Sequence, residues 1–518
     1  MELSNQPIDK PLARIAHWVD VQNLIDRGAL SPAEMRLIAA VQQGSWAEIG
    51  QSCPNEKLAD LSIRAPLISY FATGGCSEMQ TPGTGVQIQG AWISGTLDLN
   101  FAQAVGSLAL VNCYVEERPR MLQLSVASLM LKGSVLANGI NAQSAEIPGD
   151  VVFEKATIHQ ELCLAGAHLG GQLICTRAQM LNGEGVALNA QGAEIDGDLF
   201  LRGANVEGAV RLSGARVGGQ LSCKEARLRN AGGDALDMQR IVVSEGFYWQ
   251  QVESVLGRVD LTSAHCADLA DDAASWALCD ELCLVGLTYD VLHGSADVSE
   301  RLSWLRKGAV WDREFHPQPY EQLAKIMRES GHRSEATSIL FDKENARRKS
   351  IRKRWIAEKR PFRWLAQLIW DLMLRSTIGF GHRPQRSFYV LVVLVAIAWL
   401  FAHFAWVKGD FAPNVAVVLL SDEWRGLAHG PDAVPNPAMI WGDAQHAGKD
   451  YETFNAVAYA VDVVVPLISL GQDAAWAPST NRGPWGWHLW WLRWVLTACG
   501  WIITAIGAAA VTGVIRKD

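Results

Sequence analysis

The chain lacks an excess of positive charge, a secretory leader pattern and any catalytic signature, and each absence narrows what it does. It carries 46 Lys and Arg against 54 Asp and Glu, a formal net charge of −8. That balance argues against bulk nucleic-acid affinity, and no nucleic-acid partner is expected. The opening MELSNQPIDKPLARIAHW has no apolar core of the kind a signal peptide needs, so none is expected. The ten cysteines are scattered without disulfide spacing, and the soluble part is therefore expected in a reducing cytoplasm. His265, Cys266, Cys279 and Cys283 do not form a paired zinc signature, and no metal is assigned. No G-x-G-x-x-G follows a strand, and no G-x-x-x-x-G-K-[ST], H-E-x-x-H or G-x-S-x-G occurs. No catalytic residue and no cofactor is assigned, and an enzyme is the less favoured reading. The acids Asp98, Glu146, Glu194, Asp196 and Asp198 sit at outward strand positions as solvated charges, with no His or nucleophile beside them.

What the chain has in abundance is a repeat. From Gly192 it reads GAEIDGDLFLR, GANVEGAVRLS and GARVGGQLSC, successive copies of one eleven-residue unit. Within a unit the apolar residues fall on alternate positions (Ala193, Ile195, then Leu199, Leu201), which is strand periodicity. Glycines recur at fixed places, where a chain turning a corner needs a small side chain or positive φ. The pattern starts near Gly85, blurs around Leu129, Leu131 and Val135, and returns at Ala145, Ala156 and Ala167. An insertion at residues 181–191 precedes the regular run, and decayed copies continue to Val259-Asp260-Leu261. Two units make 22 residues, close to one coil of a pentapeptide-repeat-like solenoid. The expectation is a right-handed parallel β-helix over 86–272, with Cys175 and Cys223 facing its core.

Helical segments flank it. Residues 1–85 read as a cap, with a capping box at Ser31-Pro32-Ala33-Glu34 and Met35, Leu37, Ile38 and Val41 on one face. A second short helix is expected over Leu61 to Phe71. Residues 273–349 read as a second cap containing one tetratricopeptide-like hairpin, Pro319 to Arg348. Residues 350–386 form a basic, amphipathic juxtamembrane helix, with Phe362, Trp364, Leu365, Leu368, Ile369 and Trp370 suited to a membrane interface.

Residues 387–518 read as a membrane domain. Residues 389–518 hold eleven of the 21 tryptophans. Two apolar runs, about 388–407 and 491–515, are long enough to span a bilayer. A third, 454–471, contains Asp462 and Pro466 and is expected to be re-entrant or interfacial. Lys and Arg crowd before the first span and recur at Arg516-Lys517, so both termini are expected on the cytoplasmic side, with 408–488 outside.

Three sets of residues are candidates for function. An ionisable residue in an apolar membrane segment is costly. Asp462, with Pro466, Ser469, Gly471 and Gln472, is therefore the candidate intramembrane site; the alternative is a surface segment with Asp462 in water. Arg347, Arg348, Lys349, Arg352, Lys353 and Arg354 are candidates for binding anionic lipid, or else a topogenic signal alone. Ala505, Ala509 and Gly513, at spacing four, form a small-residue stripe suited to homo-oligomerisation, or to packing on the first span.

The GAxIxGxLxL units, Gly286 to Asp290, Arg301 to Leu305, Pro317 to Ala324, Gly379 to Pro384 and Pro466 to Pro478 resemble a family of uncharacterised bacterial membrane proteins. Members often bear the label membrane-associated oxidoreductase. The solenoid is similar to pentapeptide-repeat proteins, some of which are fused to ion-channel domains. The layout of span, apolar helix, Ser469-Leu470-Gly471-Gln472 and span resembles two-transmembrane pore-loop channels, although a Thr-x-Gly-Tyr-Gly filter is missing. These likenesses leave three readings. The first is a membrane-anchored scaffold or sensor that binds a protein partner on its solenoid face. The second is an oligomeric pore gated by the solenoid. The third, an oxidoreductase, follows from the resemblance alone.

Overall fold

A computed structural model describes residues 15, 17–295, 297–312, 314–377, 379–381, 385–431 and 433–512. The chain divides into two compact units, residues 1–343 and 344–518.

The first unit is a parallel β-solenoid of about nine turns, followed by helices. Its period follows from the repeat. Glu146 pairs with His168, Val151 with Leu173, Glu194 with Arg216 and Leu199 with Leu221, so each coil is two eleven-residue units stacked in register. The inward positions form columns. Ile147, Leu169, Ile195, Val217 and Val243 lie one above the other, each at most 1% exposed. An identical position in each coil meets the same neighbours, which is why the sequence repeats. Cys175 and Cys223 are fully buried in this core.

The two glycines of a unit have different tasks. Gly192 and Gly203 take φ of +63° and +61° at the turn, a left-handed conformation that side chains disfavour. Gly197 instead has ordinary φ but no room, since a Cβ would lie 2.8 Å from the Gly171 carbonyl oxygen on the coil before. The insertion resolves into a bulge within the strand Gln179–Asn189, where Asn182 Nδ2 donates to the Val186 carbonyl at 2.8 Å. A second such bulge, closed by Asn230 Nδ2 on the Asp234 carbonyl at 2.8 Å, was not apparent from the repeat.

Helices α1 (Trp18–Asp26), α2 (Pro32–Gln43) and α3 (Ala65–Ala72) precede or interrupt the first coils. The capping box forms: Ser31 Oγ accepts from Glu34 N at 3.0 Å and Ser31 N donates to Glu34 Oε2 at 2.9 Å. Glu34 also takes the Arg64 guanidinium, with Nε to Oε1 at 2.7 Å, tying α2 to the strand Ser62–Arg64. Leu37, Ile38 and Val41 are buried, but Met35 is 46% exposed. Two residues before Leu37, it falls about 200° around the helix, on the opposite face. The helix expected from Leu61 starts only at Ala65. Pro66 sits in its first turn, and Ser62–Arg64 is drawn off to pair with Trp92–Ser94.

Parallel strands continue past residue 272, as Glu281–Cys283 and Thr288–His293. Helices α4 (Ala273–Ala277) and α5 (Val298–Gly308) close this end. Trp276 stacks on Trp304 with centroids 5.2 Å apart, and Trp249 lies tilted against Trp276 at 5.5 Å. Asp271, fully buried, accepts from Trp276 Nε1 at 2.6 Å and from Arg301 Nη1 at 2.6 Å. Helices α6 (Gln318–Glu329) and α7 (Arg333–Ala357) follow as a hairpin.

The second unit holds α8 (Pro361–Thr377) and α9 (Gln385–Val407), then three short helices, α10 (Ala416–Leu419), α11 (Asp422–His429) and α12 (Pro437–Trp441). The half-length α13 (Ala456–Val464) and short α14 (Gln472–Ala475) lead to α15 (Pro484–Val511). Helices α9 and α15 are long and apolar enough to cross a membrane. Ala398, Ala402 and Ala405 of α9 join Val463, Val464, Leu489 and Leu496 in a core that continues into Phe411, Trp424, Trp441, Tyr459 and Trp476.

Candidate functional site

The turn after α13 is where Asp462 acts. The helix enters beside the ends of α9 and α15. Near its start, Phe454 stacks on Trp406 with centroids 4.2 Å apart, and Phe411 meets Tyr459 edge-on. Its far end lies deep along α15. Thr497 Oγ1 donates to the Val463 carbonyl at 2.9 Å, and a Cβ on Gly500 would lie 1.8 Å from the Val464 carbonyl oxygen. The glycine permits this approach, and the threonine satisfies a carbonyl that the helix end leaves open.

The chain then doubles back. Trp476–Pro478 pairs with Phe411–Pro413, which lies between the end of α9 and the start of α15. Tyr451 Oη donates to the Ala475 carbonyl at 2.7 Å. Segment 454–471 therefore enters and leaves at one end of the α9–α15 pair.

Asp462 holds this return. Its carboxylate accepts from the backbone N–H of Leu470, of Gln472 at 2.6 Å and of Asp473 at 3.3 Å. Three donors on one carboxylate form a cap for the turn into α14. Gln472 is 3% exposed and completes the knot. Its Oε1 accepts from Asn455 N at 2.9 Å, and its Nε2 donates to Glu452 Oε1 at 2.8 Å and the Thr453 carbonyl at 3.0 Å. Gly471 supplies φ of +82° at the turn, and Pro466 and Ser469 lie on the path between. The five expected residues thus share one turn, joined by Glu452, Thr453 and Asn455. Asn455 also caps α13 through Val457 N at 2.9 Å. An Asn before an apolar helix is a legible cap signal; the pairing with Gln472 is not, since it depends on the doubled-back chain.

A second carboxylate fixes the end of α15. Asp410, 3% exposed, accepts from Gly486 N at 2.8 Å in the first turn of that helix.

The six basic candidates are unequal. Arg348 Nη1 lies 2.6 Å from Asp371 Oδ1, and Arg352 pairs with the other oxygen of the same carboxylate. Arg347 lies 3.7 Å from Glu344, and Arg354 lies 3.1 Å from Glu358. Lys349 and Lys353 are exposed on α7. Asp371, in the middle of an apolar helix, is the residue that decides which of these cations are held inward. An acid one helix downstream of an arginine run was the signal for it.

Of the small-residue stripe, Ala505 is exposed and Ala509 partly so; Gly513, like Arg516 and Lys517, lies outside the described residues. Further along α15 than Gly486, Gly500 and Gly507 face inward, the latter with Ser387 Oγ 2.9 Å from where a Cβ would stand. Among the described residues no three metal-ligating side chains converge. No protein-family model matches the chain, and no curated protein matches it.

Proposed function

We propose that this protein is a membrane-anchored scaffold of the bacterial inner membrane. Helices α9 and α15 cross the bilayer, segment 454–471 re-enters it, and the solenoid and both termini lie in the cytoplasm. A protein partner docks on the solenoid's repetitive outer face. The observation that carries this reading is the exposure of the two long apolar helices. Only 17% of the apolar window of α9 and 22% of that of α15 is buried, whereas the core helix of a soluble protein is mostly covered. Orientation rests on the Lys and Arg crowded before α9.

Alkaline carbonate washing of membranes tests the anchor. The chain is expected to stay in the pellet, and full release would overturn the reading. Reporter fusions at each terminus are expected to report the cytoplasmic side. A second reading, a pore, draws on α13 as a half-length helix against α9 and α15. It requires an oligomer, with the face of the exposed Ala505 and the partly exposed Ala509 as the contact. A monomer in detergent, together with no conductance in planar bilayers, would remove it.

A further inference from the structure

Helix α8 buries Asp371 beside Leu374 and Thr377, and turns large apolar side chains outward alongside Arg363 and Arg375. Its inward row carries Asp371, whose side chain is 6% exposed and which takes Arg348, Arg352 and, at 2.7 Å, Gln367 Nε2. Its outward rows carry Phe362 (86% exposed), Ile369 (62%), Trp370 (52%) and Leu372 (66%). In water an amphipathic helix buries its apolar stripe and exposes its charges. An outward face this apolar is stable where the outer surroundings are themselves apolar.

At the α7–α8 turn three guanidinium groups converge on one indole. The Cζ atoms of Arg354, Arg360 and Arg363 lie 5.7, 5.9 and 5.3 Å from the Trp355 ring centroid. Among the described residues one carboxylate faces them: Glu358 lies 3.1 Å from Arg354 and 3.6 Å from Arg360. Three cations against one acid leave two positive charges on the cluster. Like charges gathered so closely repel, and a phosphate among them would relieve that repulsion.

We propose that α8 lies in the bilayer interface, with Phe362, Ile369, Trp370 and Leu372 in the acyl region. The Trp355 cluster, with Arg354, Arg360 and Arg363, holds the phosphate of an anionic lipid headgroup. This rests on the reading of α9 and α15 as spans. The cations flank the apolar face, as an interfacial helix on anionic lipid requires, and α9 begins at Gln385, shortly after α8 ends at Thr377. Arg348 and Arg352 are excluded from the lipid site because Asp371 holds them.

The test is acyl-chain photolabelling. Full-length protein is reconstituted into vesicles of phosphatidylcholine, alone or mixed with phosphatidylglycerol, carrying a carbene-generating acyl probe, and labelled peptides are mapped. Label is expected on 361–377 as well as on 385–407 and 484–511. Labelling of 361–377 is expected to rise about threefold with phosphatidylglycerol, a modest factor for a helix already tethered at the membrane. The R354Q/R360Q/R363Q variant is expected to lose that rise. The K325Q/R328Q/R333Q variant, which removes as many cations elsewhere, is expected to keep it. Label on 385–407 and 484–511 but not on 361–377 would overturn this inference alone; label on none of them would overturn the spanning reading as well. A rise that the cluster variant retains, or that the control variant equally loses, would overturn the headgroup site. Inorganic phosphate that erases the rise at matched ionic strength would mark a free-anion site and overturn the lipid assignment.

Discussion

Replacing Asp462 with asparagine keeps the shape of the side chain and removes its charge. The carboxylate accepts from the backbone N–H of Leu470, Gln472 and Asp473. Asparagine offers one acceptor oxygen and turns an NH₂ group toward the remaining donors. At least one of the two close bonds is lost, together with the charge that strengthens the other. Hydrogen bonds to charged groups contribute about 1.5–3 kcal/mol each, and the half-exposed site argues for the lower end, so the turn is expected to weaken by about 2–3 kcal/mol. At about 1.4 kcal/mol per factor of ten, local opening becomes roughly 30- to 140-fold more frequent. Hydrogen exchange in nanodiscs measures this directly. Amides of 467–473 should exchange faster by that factor, while α9 keeps its protection. Unchanged exchange in 467–473 would refute the assignment of Asp462 as the keystone of the turn. Equal acceleration throughout α9 and α15 would refute its local character.

Arg301→Met leaves Asp271 buried without its cation, and the last coil and α5 are expected to lose about 3–5 kcal/mol, read by hydrogen exchange over 281–308. Adding Asp271→Asn is expected to restore much of that loss, because no buried charge remains. Burial pushes the Asp237 carboxyl above its ordinary range, ahead of the opposing hydrogen bonds from Gln239 and Ser213. A carboxyl raised in the folded state carries a penalty that is fully present above its folded pKa and relieved as pH falls through it. Asp237→Asn is therefore expected to stabilise its coil at neutral pH, with the advantage shrinking on acidification; a midpoint difference that grows at low pH would contradict this. Burial raises the thiols of Cys175 and Cys223 to about 12. Both are expected to resist iodoacetamide at pH 8 until denaturant is added, as mass spectrometry of the alkylated peptides would report.

The solenoid was legible because its core is periodic. Ala193, Ile195, Leu199 and Leu201 recur every eleven residues, and the coils stack at twice that interval. Where the core turns aromatic the period fades, so the strands at Glu281–Cys283 and Thr288–His293 were harder to read. Here Trp249, Trp276 and Trp304 fill space that several smaller residues occupy elsewhere. The candidate site was half legible. Asp462 stood out as an acid in an apolar run, but its partners are backbone amides, which carry no sequence signal. Asp371 stands among the aromatic residues of α8, and its hold on Arg348 and Arg352 depends on how α7 packs on α8, which carries no sequence signal.

The sequence by itself determined the coil length and the two apolar runs, because both depend on composition at fixed spacing. A stacked coil demands like residues at like positions, and a span demands an unbroken apolar length. Only the tertiary structure decided what the charged residues do. Asp462 caps a turn, Asp371 draws Arg348 and Arg352 inward, and three arginines remain gathered on Trp355. Such pairings depend on how α7 packs on α8, and on where the chain after α13 returns. Neither leaves a periodic trace in the order of the residues.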